Sequence, residues 1–168
     1  MPLSMYDASV PFFIRTLNNL SKILDKAIDY ADAKKIDQAV MVGLRLAPDM
    51  FPLSRQVQIA CDMVKGGAAR LAGVEVPSYA DTETTLPDLK ARIAKTIAFM
   101  ESLKPAQIEG SETRTVTLKV GGKDLNFKGS DYLFGFVYPN LHFHATTAYD
   151  LLRHNGVELV KMDYLGGI

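Results

Sequence analysis

The chain has 168 residues, 48% hydrophobic and 23% charged, an ordinary balance for a single domain over 1–168 that buries roughly two thirds of its unfolded surface. Nineteen Lys and Arg offset nineteen Asp and Glu; with no basic excess or stripe to track phosphates, a nucleic-acid partner is not expected. No run nears the ~20 apolar residues that cross a bilayer, the start MPLSMYDASVPFF is not built like a signal peptide, and Cys61, the single cysteine, forms no internal disulfide, so the expectation is a cytoplasmic protein with no membrane contact.

In chain order, Val10, Phe13, Ile14, Leu17, Leu20, Leu24, Ala27, Ile28 and Ala31 recur at three- and four-residue steps between polar residues. That spacing predicts an amphipathic helix of about six turns. Asp37 can cap a short helix running through Leu46, which Pro48-Asp49 interrupts. Pro52 suits a first helical turn, and Leu53, Val57, Ala60, Val64, Ala68 and Leu71 trace a second stripe that Gly73 can end. Gly66-Gly67 inside it reads either as close helix packing or as a local break. After a polar connector at 74–84, Thr85-Leu86-Pro87-Asp88 has the residues of a helix start, and Leu89, Ile93, Ile97, Met100 and Leu103 form a third stripe up to Lys104-Pro105.

The period then changes from helix to strand. Thr115–Val120 alternates polar and apolar, Gly121-Gly122 supplies a tight turn, and Leu125 and Phe127 resume the alternation. A lone hairpin is marginal in water, so this one should lie on the helices or on a partner subunit. Ser130-Asp131 restarts helix, Pro139 begins or kinks the last long segment, and Asn155-Gly156 stops it; the tail should pack through Val157, Leu159, Tyr164 and Leu165. Four long stripes give an all-α fold, a four-helix bundle with a small β-hairpin inserted between the third and fourth long helices.

All three histidines lie in the last segment. His142 and His144 point apart on a helix, and no His-x-x-x-His pair exists to chelate a metal. His144 shares its face with Leu141, Ala148 and Leu151, which turns the imidazole inward, and Asn140 lies one turn earlier on that face. A core histidine hydrogen-bonded to a carbonyl or tyrosine is the structural reading of the same pattern. His142 faces solvent or an interface, and His154 sits where a cation meets the negative helix end. Asp49, Arg55 and Gln56 flank the second helix start: Arg55 is an anion holder or a plain surface arginine, while Gln56 and Asp49 can approach the bundle axis. Cys61 beside Ala60 and Val64 reads as a buried, inert thiol. The aromatic group Tyr132, Phe134, Phe136, Tyr138, Phe143 and Tyr149 fits core or dimer packing better than a ligand cage. Among enzyme signatures, no Gly-rich phosphate loop, Gly-x-Ser-x-Gly, His-Glu-x-x-His or Cys-x-x-Cys occurs.

The segments RLAPDMFPL (45–53), ARLAG (69–73), YPNLHFH (138–144), AYDLLRHNGV (148–157) and KMDYLG (161–166) resemble a bacterial domain family of unknown function, almost end to end. That family in turn resembles the DinB/YfiT-like superfamily of four-helix bundles regarded as metalloenzymes. The resemblance implies a divalent metal, zinc or nickel, held by one His on the second helix and a His-x-x-x-His pair on the last, thiol-dependent transferase or isomerase activity in some members, and frequent homodimers. On this chain His144 matches the second residue of the pair, Asn140 the first, and the second-helix position falls near Gln56. Two amides stand where imidazoles are expected, which lowers affinity for such metals. The resulting expectation is a small-ligand-binding or non-catalytic bundle with a degenerate metal site, Gln56, Asn140 and His144 forming its candidate pocket and His144 the best single metal candidate. The alternative is a metal-dependent hydrolase or thiol-dependent transferase working around His144.

Overall fold

The structure, a computed structural model, describes residues 4–167. The first three residues of the opening segment and Ile168 at the tail lie outside the described residues. Four long helices dominate: α1 (Val10–Lys34), α3 (Leu53–Ala72), α4 (Leu86–Glu101) and α7 (Tyr138–His154). Between and after them lie the short α2 (Gln38–Val42), α5 (Pro105–Ile108), α6 (Gly129–Tyr132) and α8 (Lys161–Leu165), and the strands β1 (Thr115–Val120) and β2 (Lys123–Lys128). α1 and α3 each pack against both α4 and α7, so the four close a ring around one core. Phe13, Leu17, Leu24, Val57, Val64, Leu89, Leu141 and Leu151 fill that core and are fully buried. No helix among the described residues is long and apolar enough to cross a membrane.

Local chemistry sets the helix limits. Thr85 and Asp88 form the reciprocal capping box that starts α4, and Gly73, at φ 69°, ends α3 in the left-handed conformation. α2 is shorter than the expected helix through Leu46, because it already terminates at Gly43. Pro52 is the N-cap of α3 rather than part of its first turn, with ψ 166°, since its own ring restrains only φ. α4 likewise stops at Glu101, and Leu103 reaches the core from the turn beyond it.

Gly66-Gly67 is close packing and not a break: α3 runs through it, and a Cβ at Gly67 would stand 3.0 Å from Val137 Cγ1. Val137 itself ends a π-helical turn, Leu133–Val137, between α6 and α7. Helical chain therefore runs from Gly129 to His154, and the wide turn falls just before Pro139, whose missing N–H cannot close a regular one.

The hairpin pairs Val116 with Phe127 and Leu118 with Leu125, turning at Gly121-Gly122 with both φ angles positive. Val116 and Leu118 are buried, and Phe127 leans on Tyr132 and Phe136 at ring-centre separations of 6.0 and 5.7 Å, so the hairpin lies on its own helices. In the tail, Val157 and Leu159 are buried and Tyr164 is half-buried. Leu165, expected to pack, is 40% exposed: α8 is held on α1 by polar contacts instead, Lys26 to Asp163 at 2.7 Å and the Asn19 amide to the Tyr164 carbonyl at 3.1 Å.

Candidate functional site

His144 lies midway along α7 with 9% of its surface exposed, on the inward face with Leu141, Ala148 and Leu151. Gln56, in the first turn of α3 and 1% exposed, meets it: His144 Nδ1 is 2.7 Å from Gln56 Oε1. The other end of that amide, Nε2, donates to the Phe51 carbonyl at 3.1 Å. A carbonyl only accepts, so it fixes the amide nitrogen toward Phe51 and the amide oxygen toward His144. The amide oxygen in turn requires a proton on Nδ1. The imidazole is thereby set with Nδ1–H donating and Nε2 carrying the lone pair. Burial, with the Arg55 charge adding to it, pushes the His144 pKa down, which keeps the ring neutral at neutral pH. Nε2 has no hydrogen-bond partner among the described residues and is not one of the buried side-chain atoms left orphaned, Arg92 Nε and Ser111 Oγ.

Asn140 is half-buried one turn before His144, and its Nδ2 donates to the Phe136 carbonyl at 2.7 Å on its own helix. This i to i−4 bond satisfies the amide locally. Of the three sequence candidates the structure joins Gln56 to His144 directly and turns the Asn140 nitrogen elsewhere.

A cavity of about 190 Å³ opens beside the pair, lined by Asp49, Met50, Phe51, Gln56 and Phe143. Phe51 and Phe143 are more than half exposed there, and the Phe143 ring centre is 5.2 Å from that of His144. Asp49 stays at the exposed rim while Gln56 is buried. Arg55 pairs with Asp81 at 2.5 Å, with its guanidinium 6.0 Å from the Phe51 ring centre.

The remaining candidates settle as structure. Cys61 is fully buried, and burial, against a Thr96 hydrogen bond, pushes its thiol up to about 12, so no thiolate forms near neutral pH. His142 faces outward, stacked on Tyr138 at 5.9 Å with Nδ1 3.1 Å from the Tyr164 hydroxyl. His154 is exposed at the α7 end. Among the aromatics, Tyr132 is buried and Phe134 is 52% exposed.

Sequence reasoning missed a charged cluster that ties the 74–84 connector down. Arg92 on α4, its side chain only 2% exposed, reaches Asp62 of α3 and Asp81 and Glu83 of the connector, each at 3.0 Å. Gln58 adds a bond to Glu83 at 2.9 Å, and Tyr79 lies between the ammonium groups of Lys65 and Lys95, 4.0 and 4.1 Å from its ring centre. The signal was there: Arg92 falls between Leu89 and Thr96 on the inward face of α4.

Fold and site define a helical bundle in which one imidazole is set by an amide, and that amide, Gln56, lines a small cavity. The chain belongs to the family described as a domain of unknown function (DUF1993), whose model matches residues 5–165. It is similar to the crystal structure of a DinB family member protein from Shewanella denitrificans, at 44% sequence identity and a TM-score of 0.87, over 97% of this chain and 92% of that one. The fold is thus a DinB-like four-helix bundle carrying a hairpin. No curated protein matches the chain.

Proposed function

We propose that this chain is a small-ligand-binding bundle in which the cavity beside His144 takes a polar organic molecule, in a position where DinB-like relatives would hold a metal. The observation that carries the reading is the relay from the Phe51 carbonyl through Gln56 to His144, which holds an imidazole neutral with one free lone pair. An acceptor of that kind, held in one tautomer, favours a ligand that brings a hydrogen-bond donor, because a ligand without one would cover the lone pair and leave it unpaired.

A divalent metal fits this donor set poorly. Zinc needs about four ligands, three of them from protein in an open site. Gln56 has its oxygen on His144 and its nitrogen on Phe51, and the Asn140 nitrogen is on Phe136. Among the described residues no three His, Cys, Asp or Glu side chains come together to hold an ion. One imidazole nitrogen is left, and a single imidazole with a rim carboxylate falls short of the three protein ligands an open site uses.

Elemental mass spectrometry on tag-free protein, after incubation with zinc, nickel and manganese and then desalting, tests this. The expected result is far less than one metal per chain, unchanged in His144→Ala. Close to one metal per chain, lost in that variant, would overturn the reading in favour of a metal-dependent hydrolase or transferase.

A further inference from the structure

The 74–84 connector lies on the bundle with little of what holds the rest of the fold. None of residues 75–83 is buried, and no backbone–backbone hydrogen bond among the described residues falls on them. Backbone pairing stops where the Val74 amide meets the Ala69 carbonyl at 3.0 Å. The chain is fastened again at Thr84, whose amide donates to Asp88 of the α4 capping box at 3.1 Å. Between those ends a cavity of about 380 Å³ separates Tyr79, Ala80 and Thr82 of the connector from Ala91, Arg92 and Lys95 of α4.

Side chains hold the segment instead, and most of the contacts converge on one residue. Arg92 takes Asp81, Glu83 and the Ala80 carbonyl, each at 3.0 or 3.1 Å. The closed arrangement is not fully satisfied, because Arg92 Nε is buried with no partner, a cost that water would remove. Cys61 lies on α3 one turn from both Gln58 and Lys65, the residues that grip Glu83 and Tyr79, and is fully buried. The charges of Arg92 and Glu83 both reach its thiol. Asp81 gives its second oxygen to Arg55, whose guanidinium lies 6.0 Å from the centre of the Phe51 ring in the wall of the cavity beside His144.

We infer that residues 75–83 form a strap, latched by Arg92, that opens as a unit while the bundle stays folded, uncovering Cys61 and releasing Arg55 from its anchor beside Phe51. Opening breaks no backbone bond of the strap and exposes no buried side chain of its own, so the latch sets most of its cost. The opening stands apart from the small-ligand reading. Its effect on the cavity wall rests on that reading and makes the strap a regulator of that site.

The test labels the single thiol of the full chain with iodoacetamide at mildly alkaline pH across a urea series, read by mass spectrometry. In the wild type the low-urea rate should vary little with urea, because a local opening exposes little surface, and should join the global unfolding curve only at higher urea. Arg92→Met should raise the low-urea rate about a hundredfold, the factor expected when a buried ion pair is broken from one side. Gly129→Ala, whose Cβ would meet the Ser111 carbonyl and not the strap, should leave that rate unchanged. The Phe51 ring proton resonances should shift in Arg92→Met as labelling quickens. A wild-type rate that tracks global unfolding at every urea concentration, or an equal rise in the two variants, would overturn the strap. Fast labelling with an unmoved Phe51 ring would overturn its link to the cavity. One tightly held metal per chain would remove the small-ligand reading and leave the opening in place.

Discussion

Arg92→Met should destabilise the protein by about 3 kcal/mol, the low end of what breaking a buried ion pair from one side costs. The side chain is 2% exposed and meets Asp62, Asp81 and Glu83, whose side chains are 32%, 42% and 11% exposed. Methionine replaces the stem and leaves three carboxylates without their shared cation, Glu83 the most buried of them. For a domain of this size that loss corresponds to roughly 10 °C in Tm. Arg55→Met, which breaks the exposed pair with Asp81 and a long hydrogen bond to Gln58 at 3.3 Å, should cost within about 1 kcal/mol. The effect also depends on pH. Burial pushes the Glu83 pKa up, but hydrogen bonds from Arg92, its own backbone and Gln58 outweigh it, and the folded pKa lies below the ordinary carboxylate value. A depressed folded pKa stabilises fully above the unfolded value, near ~4.3 for Glu, and that stability is lost as pH falls through the folded value. The gap between wild type and Arg92→Met should therefore be widest at neutral pH and narrow below about pH 4. Urea denaturation at several pH values reads both, and a neutral-pH loss under 1 kcal/mol would show that the cluster does not anchor the connector.

Gly129→Ala should cost as much or more, about 3 kcal/mol, toward the upper end of overpacking. A Cβ at Gly129 would stand 1.9 Å from the Ser111 carbonyl oxygen and 2.9 Å from its carbon. Both are backbone atoms, and that oxygen already accepts the Arg114 amide at 3.0 Å, so no side-chain rotation relieves the clash. The segment leading into β1 and the start of α6 would have to separate. Gly135, with open space where its Cβ would stand, is the control, and Gly135→Ala should be neutral or slightly stabilising. Equal thermal stability of the two variants would contradict the close approach at Gly129.

Much of the fold was legible because its signals are local. The Thr85–Asp88 capping box, the Gly73 stop and the Gly121-Gly122 turn are each written within a few residues, and the structure places each where the spacing put it. The π turn at Leu133–Val137 was not legible, because apolar residues there satisfy a regular helix period equally well and only Pro139 hints at a wider turn. The Arg92 cluster was overlooked because charges in a polar connector look solvated, although one arginine on an apolar face can draw three carboxylates inward. At the site, periodicity turned His144 inward but could not supply its partner, since Gln56 is 88 residues away and their meeting depends on how α3 and α7 are rotated. Family resemblance named Gln56 as a vanished ligand position; the geometry gives that residue the task of fixing the imidazole. Asn140 shares the face, yet its short amide finds its own Phe136 carbonyl first.

The most direct test of this account is the nitrogen–proton correlation spectrum of the histidine rings, assigned with His144→Ala, at neutral pH. The relay predicts that His144 is neutral, with its proton on Nδ1 and an unprotonated Nε2 that shifts when a donor ligand binds. In Gln56→Leu that tautomer should lose its enforcement and the ring should show both forms. A charged ring, or a proton fixed on Nε2 in the wild type, would contradict the relay and with it the small-ligand reading that rests on it.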